Sequence, residues 1–231
     1  MKTIGLIGGM SWESTVTYYQ IINQTVRERL GGLNSAKIIL YSFNFNEIEQ
    51  LQSSGSWDEA GTELARAARL LSAAGADLLV IATNTMHKVA GAVESAVEIP
   101  LLHIADPTAE EISNSGLSKV GLLGTRFTME EDFFKKRLSE GRSIDILVPE
   151  EDDRLIVHRV IFDELCQGKV LEKSRHEYRN IIRRLTDRGA QGVILGCTEI
   201  SLLTGSGQSE IPLFDTTEIH ARKAAGWALD N

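Results

Sequence analysis

Short apolar runs, each bounded by glycine or proline, alternate along this chain with longer stretches of helical periodicity. Thr3-Ile4-Gly5-Leu6-Ile7-Gly8 and Gly75-Ala76-Asp77-Leu78-Leu79-Val80-Ile81 are runs of this kind. The pattern is that of strands buried on both faces of a parallel sheet. Ser56-Trp57-Asp58, followed by Ala60, Leu64, Ala67, Ala68 and Leu71, predicts a capped helix with one apolar face. Lys173 to Arg188, with Tyr178, Ile181, Ile182 and Leu185, predicts another. Strands over Lys37–Leu40 and Ser143–Leu147 bring the expectation to four strands in each half of the chain. Alternating strand and helix implies parallel βαβ units with right-handed crossovers.

The pattern occurs twice. Lys2-Thr3-Ile4-Gly5-Leu6-Ile7-Gly8 returns as Lys119-Val120-Gly121-Leu122-Leu123-Gly124, about 117 positions later. The stretch Gly75 to Thr85 returns as Gly189 to Glu199, offset by 114, and Ile99-Pro100-Leu101-Leu102 as Ile211-Pro212-Leu213-Phe214, offset by 112. Matched segments in the same order indicate a duplicated domain. The expected division is residues 1–114 and 115–215, near Ser113-Asn114-Ser115-Gly116. A final helix, residues 216–231, packs back on the first half in this scheme.

Charge and cysteine content narrow the chemistry. Lys+Arg number 24 against 32 Asp+Glu, a net charge of −8, and no Lys/Arg-rich run occurs, which argues against nucleic acid as a partner. The two cysteines, Cys166 and Cys197, lack metal-ligand spacing and are too few for a disulfide framework. No metal site is expected. The N-terminal apolar run is too short for a signal peptide, and no run reaches the length of a membrane span. The expectation is a cytoplasmic protein without membrane contact. Gly5-x-x-Gly8-Gly9 lacks the dinucleotide spacing, and no Walker lysine follows; the glycines are read as allowing close backbone approach to a small ligand.

In parallel α/β sheets ligands bind beyond the carboxyl ends of the strands. The repeat therefore singles out Gly8-Gly9-Met10-Ser11, Thr83-Asn84-Thr85 and Cys197-Thr198-Glu199. If two halves related by a pseudo-twofold axis share one cleft, Thr83 and Cys197 meet a substrate carbon from opposite faces, the arrangement that inverting a stereocentre requires. Cys197 is the expected base, because a helix N-terminus lowers a thiol pKa from its usual value near 8.5. Cys166, in a helical stretch, reads as core filler.

These motifs resemble the pyridoxal-phosphate-independent aspartate/glutamate racemase family over essentially the whole chain. The resemblance is carried by Ile4 to Ser14, Thr83-Asn84-Thr85-Met86-His87, Ile99 to Ile104, and Gly196-Cys197-Thr198-Glu199. It implies an α/β fold of two similar Rossmann-like domains with parallel four-stranded sheets. It also implies an active site in the cleft between them, a homodimer, and a cofactor-independent exchange of the α-proton of an unmodified amino acid. Asn84, Thr85, Thr198 and Glu199 would hold the substrate carboxylate, and Met10 would line the pocket.

The chain departs from the family where the first motif usually reads Cys-Asn-Thr. A threonine hydroxyl is not ionised at neutral pH but can donate or relay a proton. Retention of Cys197, the group that takes the proton from the L-enantiomer in the family, predicts an enzyme favouring the L-to-D direction, like the L-aspartate/glutamate-specific racemases. A basic residue found after the second strand in some members is also missing. Gln52 and Lys169 are the candidates for the side-chain carboxylate of L-Glu or L-Asp, with solvated surface as the alternative for each. His87 is read as a relay through Thr83 or as a core histidine, and stays outside the expected site. Two other functions remain open: a single-cysteine decarboxylase or isomerase of a dicarboxylic acid, and a non-catalytic amino-acid-binding module.

Overall fold

A computed structural model describes residues 1–204 and 209–231. The chain divides into two compact units, Met1–Ile104 together with His220–Asn231, and Ala105–Ile219.

The first unit runs β1 (Thr3–Gly8), α1 (Trp12–Leu30), β2 (Lys37–Ser42), α2 (Phe45–Ser54), α3 (Trp57–Ala73), β3 (Leu78–Ile81), a 3-10 turn (Thr85–Val89), α4 (Ala90–Glu94) and β4 (Leu101–Leu102). The strands form a parallel sheet in the order β2-β1-β3-β4. One face packs on α3 through Leu64, Ala67, Ala68 and Leu71, in a cluster that includes Ile7, Leu79 and Ile81. The other face, with Ile4, Leu6, Leu78 and Val80, packs on Tyr18, Ile22 and Val26 of α1 and on Ala221, Ala224, Ala225 and Ala228 near the C-terminus. β1 and β3 are buried on both sides, so they show no polar alternation.

The second unit contains α5 (Ala105–Asn114), β5 (Lys119–Gly124), α6 (Arg126–Glu130), α7 (Asp132–Ser139), β6 (Asp145–Leu147), α8 (Glu151–Asp163), a 3-10 turn (Leu165–Gln167), α9 (Glu172–Asp187), β7 (Val193–Gly196), α10 (Ser201–Thr204) and β8 (Leu213–Asp215). Its parallel sheet has the order β6-β5-β7-β8, the topology of the first. Helix α11 (Thr216–Asp230) starts here, and its residues from His220 onward belong to the first unit.

The division falls before α5, whereas the sequence pattern points to residues 114–115. The physical reason lies on α7: Arg137 donates to both carboxylate oxygens of Asp106 at 2.7 and 2.8 Å, tying the start of α5 to the second unit. Ser56 stands at the N-cap of α3 as expected, but its hydroxyl accepts from Ser54 Oγ and makes no capping bond to the helix. No helix among the described residues is long and apolar enough to cross a membrane.

Glycine is required at the end of β1 by the chain's own packing. A Cβ at Gly8 would lie 2.6 Å from Thr15 Cγ2. Gly9 has φ +81 and sits against the backbone of Phe43.

Candidate active site

The registers place Thr83 and Cys197 at equivalent positions of their own sheets. In the first unit Ile7 lies opposite Ile81; in the second, Leu123 lies opposite Leu195 and Gly124 opposite Gly196. Two residues past Ile81 comes Thr83, and two past Leu195 comes Cys197. Each therefore leaves the carboxyl end of the strand next to its unit's first strand, the place where parallel sheets put their chemistry.

In the second unit Cys197 is buried, and its thiol donates to Glu199 Oε2 at 3.0 Å. The Thr198 hydroxyl donates to the same oxygen at 2.6 Å. One carboxylate oxygen thus gathers the protons of both preceding side chains. Burial pushes the Cys197 thiol well above its ordinary range, and the Glu199 carboxylate and the Cys166 thiol add to the effect. This overturns the expectation of a thiolate favoured by a helix N-terminus. Among the described residues the helix that follows β7 starts at Ser201, beyond Thr198 and Glu199. Burial likewise raises Tyr178, whose hydroxyl donates to Val157 O at 3.1 Å. Cys166, expected in the core, is half-buried in the 3-10 turn after α8.

In the first unit Thr83, Asn84 and Thr85 are all buried at the end of β3. Gln52, from α2, is buried and donates from Nε2 to Met86 Sδ at 3.0 Å, which brings it against the turn that begins at Thr85. Met10 is buried in the same apolar cluster as Met86. Four of the five candidates of this unit thus follow strand ends directly, and Gln52 reaches them through Met86. Lys169, in the second unit, is exposed and donates to Gln167 Oε1 at 2.7 Å.

Two groups carry more than the sequence reading gave them. Glu199 was expected at the substrate carboxylate, yet its own carboxylate is turned onto Cys197 and Thr198. His87 is buried, and its Nδ1 lies 2.8 Å from Thr83 O. The four-residue spacing from Thr83 to His87 was the available signal, since in a helical turn it brings the two together.

The fold and these strand-end groups define an α/β protein of the racemase type, and the comparisons agree. Residues 7–224 match the Asp/Glu/Hydantoin racemase family, and the chain belongs to that isomerase family. Its structure is similar to that of a candidate Asp/Glu racemase from Yersinia pestis, with a TM-score of 0.92, 55% identity, and 99% and 100% of the two chains covered. An aspartate racemase homologue from Pyrococcus horikoshii OT3 gives a TM-score of 0.85 at 38% identity over 99% and 100% of the chains. The broad specificity amino-acid racemase RacX of Bacillus subtilis (strain 168) is 21% identical over 98% of each chain.

Proposed function

We propose that this chain racemises acidic amino acids without an added cofactor, with Cys197 removing the α-proton of L-Glu or L-Asp. Thr83 then donates or relays a proton to the opposite face. The observation that carries the reading is the Cys197 thiol donating to the Glu199 carboxylate at 3.0 Å. A buried thiol is a poor base until its proton has somewhere to go, and Glu199 is positioned to take it. The resulting thiolate removes the α-proton. The carbanion takes a proton from the Thr83 hydroxyl, which is recharged from solvent; the α-proton restores the Cys197 thiol, and Glu199 returns the proton it took to solvent. Inversion needs donors on both faces of one carbon, and the matching positions of Thr83 and Cys197 in the two sheets support that assignment.

Asn84, Thr85 and Thr198 are assigned to the substrate carboxylate, with Met10 lining the site. Gln52 and Lys169 are assigned to the side-chain carboxylate. The family membership and the Pyrococcus neighbour support acidic substrates. As in the resemblance drawn from the sequence, the protein is proposed to act as a homodimer, which light scattering on purified protein tests.

Chiral chromatography of L- and D-amino acids incubated with the protein in D₂O tests the function. The expected result is deuterium at Cα of L-Glu or L-Asp together with D-product and no CO₂. Release of CO₂, or binding without exchange, would sink the proposal. Equal conversion of neutral amino acids would replace the acidic substrate class with a broad one.

A further inference from the structure

Beneath the Thr83 turn lies a group of three buried histidines, His87, His103 and His220, all within the first unit. The His87 ring is 4.4 Å from that of His103 and 5.9 Å from that of His220, centroid to centroid. The hydrogen-bond partners dictate the tautomers. Ile104 N–H donates to His87 Nε2 at 3.2 Å, so this nitrogen carries a lone pair. The His87 proton is then on Nδ1, which donates to Thr83 O at 2.8 Å. His220 has the opposite form: its Nε2 donates to Leu102 O at 2.9 Å, and its Nδ1 accepts from the Tyr18 hydroxyl at 2.8 Å.

His87 therefore bridges two backbone sites of the first unit. One end holds the carbonyl of the residue that leaves β3, and the other holds the amide that follows His103 after β4. We propose that His87, neutral and protonated on Nδ1, is a positioning residue that fixes the backbone of Thr83 and so aims its hydroxyl. The inference rests on the racemase reading above but goes beyond it, since nothing in that reading requires His87. Burial, then the neighbouring His103 and His220, keep the proton off the second nitrogen. A charged His87 would put an N–H against the Ile104 N–H and break the bridge. Around it stand His103 after β4, His220 of α11 with its partner Tyr18 of α1, and, on its own turn, Lys88, whose ammonium lies over the Trp57 ring.

Proton transfer is sensitive to placement: a displacement of about 1 Å can cost roughly a hundredfold in rate. Loss of the bridge should thus impair the step at Thr83 and spare the one at Cys197. The test compares His87→Leu, which removes both hydrogen bonds, with His87→Asn, whose amide can donate near the Nδ1 position. In D₂O, His87→Leu is expected to slow L-to-D conversion by about tenfold to a hundredfold. Deuterium exchange into recovered L-substrate should stay within about twofold, and His87→Asn should restore most of the conversion. Parallel loss of exchange and conversion in His87→Leu, or no loss of either, overturns the inference while leaving the racemase reading intact. A wild-type protein that neither exchanges nor converts any amino acid defeats the racemase reading, and the inference with it. If His87→Leu does not fold, long-range ¹H–¹⁵N spectra of the wild type decide. A neutral His87 protonated on Nδ1 supports the assignment, and the other tautomer or an imidazolium at neutral pH refutes it.

Discussion

The Cys197 thiol and the Thr198 hydroxyl converge on one oxygen of Glu199, at 3.0 and 2.6 Å. A thiol beside a carboxylate in a buried place keeps its proton, and the direction of its pKa agrees. The carboxylate that raises the pKa is also the nearest acceptor for that proton. Catalysis by this sulfur depends on the pair rather than on the cysteine alone.

Cys197→Ala should lower L-to-D conversion by about a thousandfold or more, the usual range for losing a general base. The melting temperature should move by only a few degrees, roughly what 1 kcal/mol does in a chain of this size. Chiral chromatography and a thermal scan measure the two effects, and retained conversion would remove Cys197 from the mechanism.

Glu199→Gln keeps the shape and a hydrogen-bond acceptor but loses the base. Conversion is expected to fall on the order of a hundredfold. In Glu199→Gln, kcat/KM for the L-substrate should climb as pH rises through and above neutrality, because burial holds the thiol protonated and the internal acceptor is gone. A Glu199→Gln profile that is flat from about 7 to about 9 would count against the thiol as base.

Thr83→Cys tests the threonine. The two enantiomers are equally stable in water, so kcat/KM must be equal in the two directions at equilibrium. A preference for L-to-D turnover can therefore appear only in kcat and KM taken apart. The expected outcome is a wild type with unequal kcat values and a Thr83→Cys variant in which they approach each other. Unchanged asymmetry would show that its source lies elsewhere.

Acid should weaken the fold through His87. Its folded pKa lies well below the ordinary 6.5, chiefly through burial and then through His103 and His220. Below about pH 6.5 the unfolded chain therefore binds a proton that the folded chain refuses, and stability falls as pH falls toward the folded value. By pH 5 this one group can cost up to about 2 kcal/mol. Urea titrations at pH 7 and pH 5 should show a smaller difference for His87→Asn than for the wild type.

Gly9→Ala should be costly and Gly32→Ala mild, although both glycines have positive φ, +81 and +60. Nothing lies within 4 Å of a Cβ at Gly32, so only backbone strain of about 1–2 kcal/mol is expected. A Cβ at Gly9 meets the Phe43 backbone as well, and the loss should exceed that of Gly32→Ala by at least about 1 kcal/mol in denaturant midpoints.

Much of the fold was legible along the chain. The apolar runs became β1, β3, β5 and β7, and the repeats became two sheets of one topology. The equivalence of Thr83 and Cys197 could be read from an offset of 114, because strand ends are marked by local composition. Gln52 was less legible: it lies on α2, and only packing sets its amide against Met86. The charge state of Cys197 was misread for the same reason, since burial, set by packing, holds the proton on the sulfur.

Periodicity is a property of neighbours in sequence, so it specifies which segments are strands and helices and which positions their ends occupy. The tautomer of His87, the proton on Cys197 and the partner of His220 depend on groups that meet through packing, Tyr18 being 202 positions from His220. Burial and hydrogen-bond partners set protonation. Both arise from the folded arrangement, which local composition does not encode.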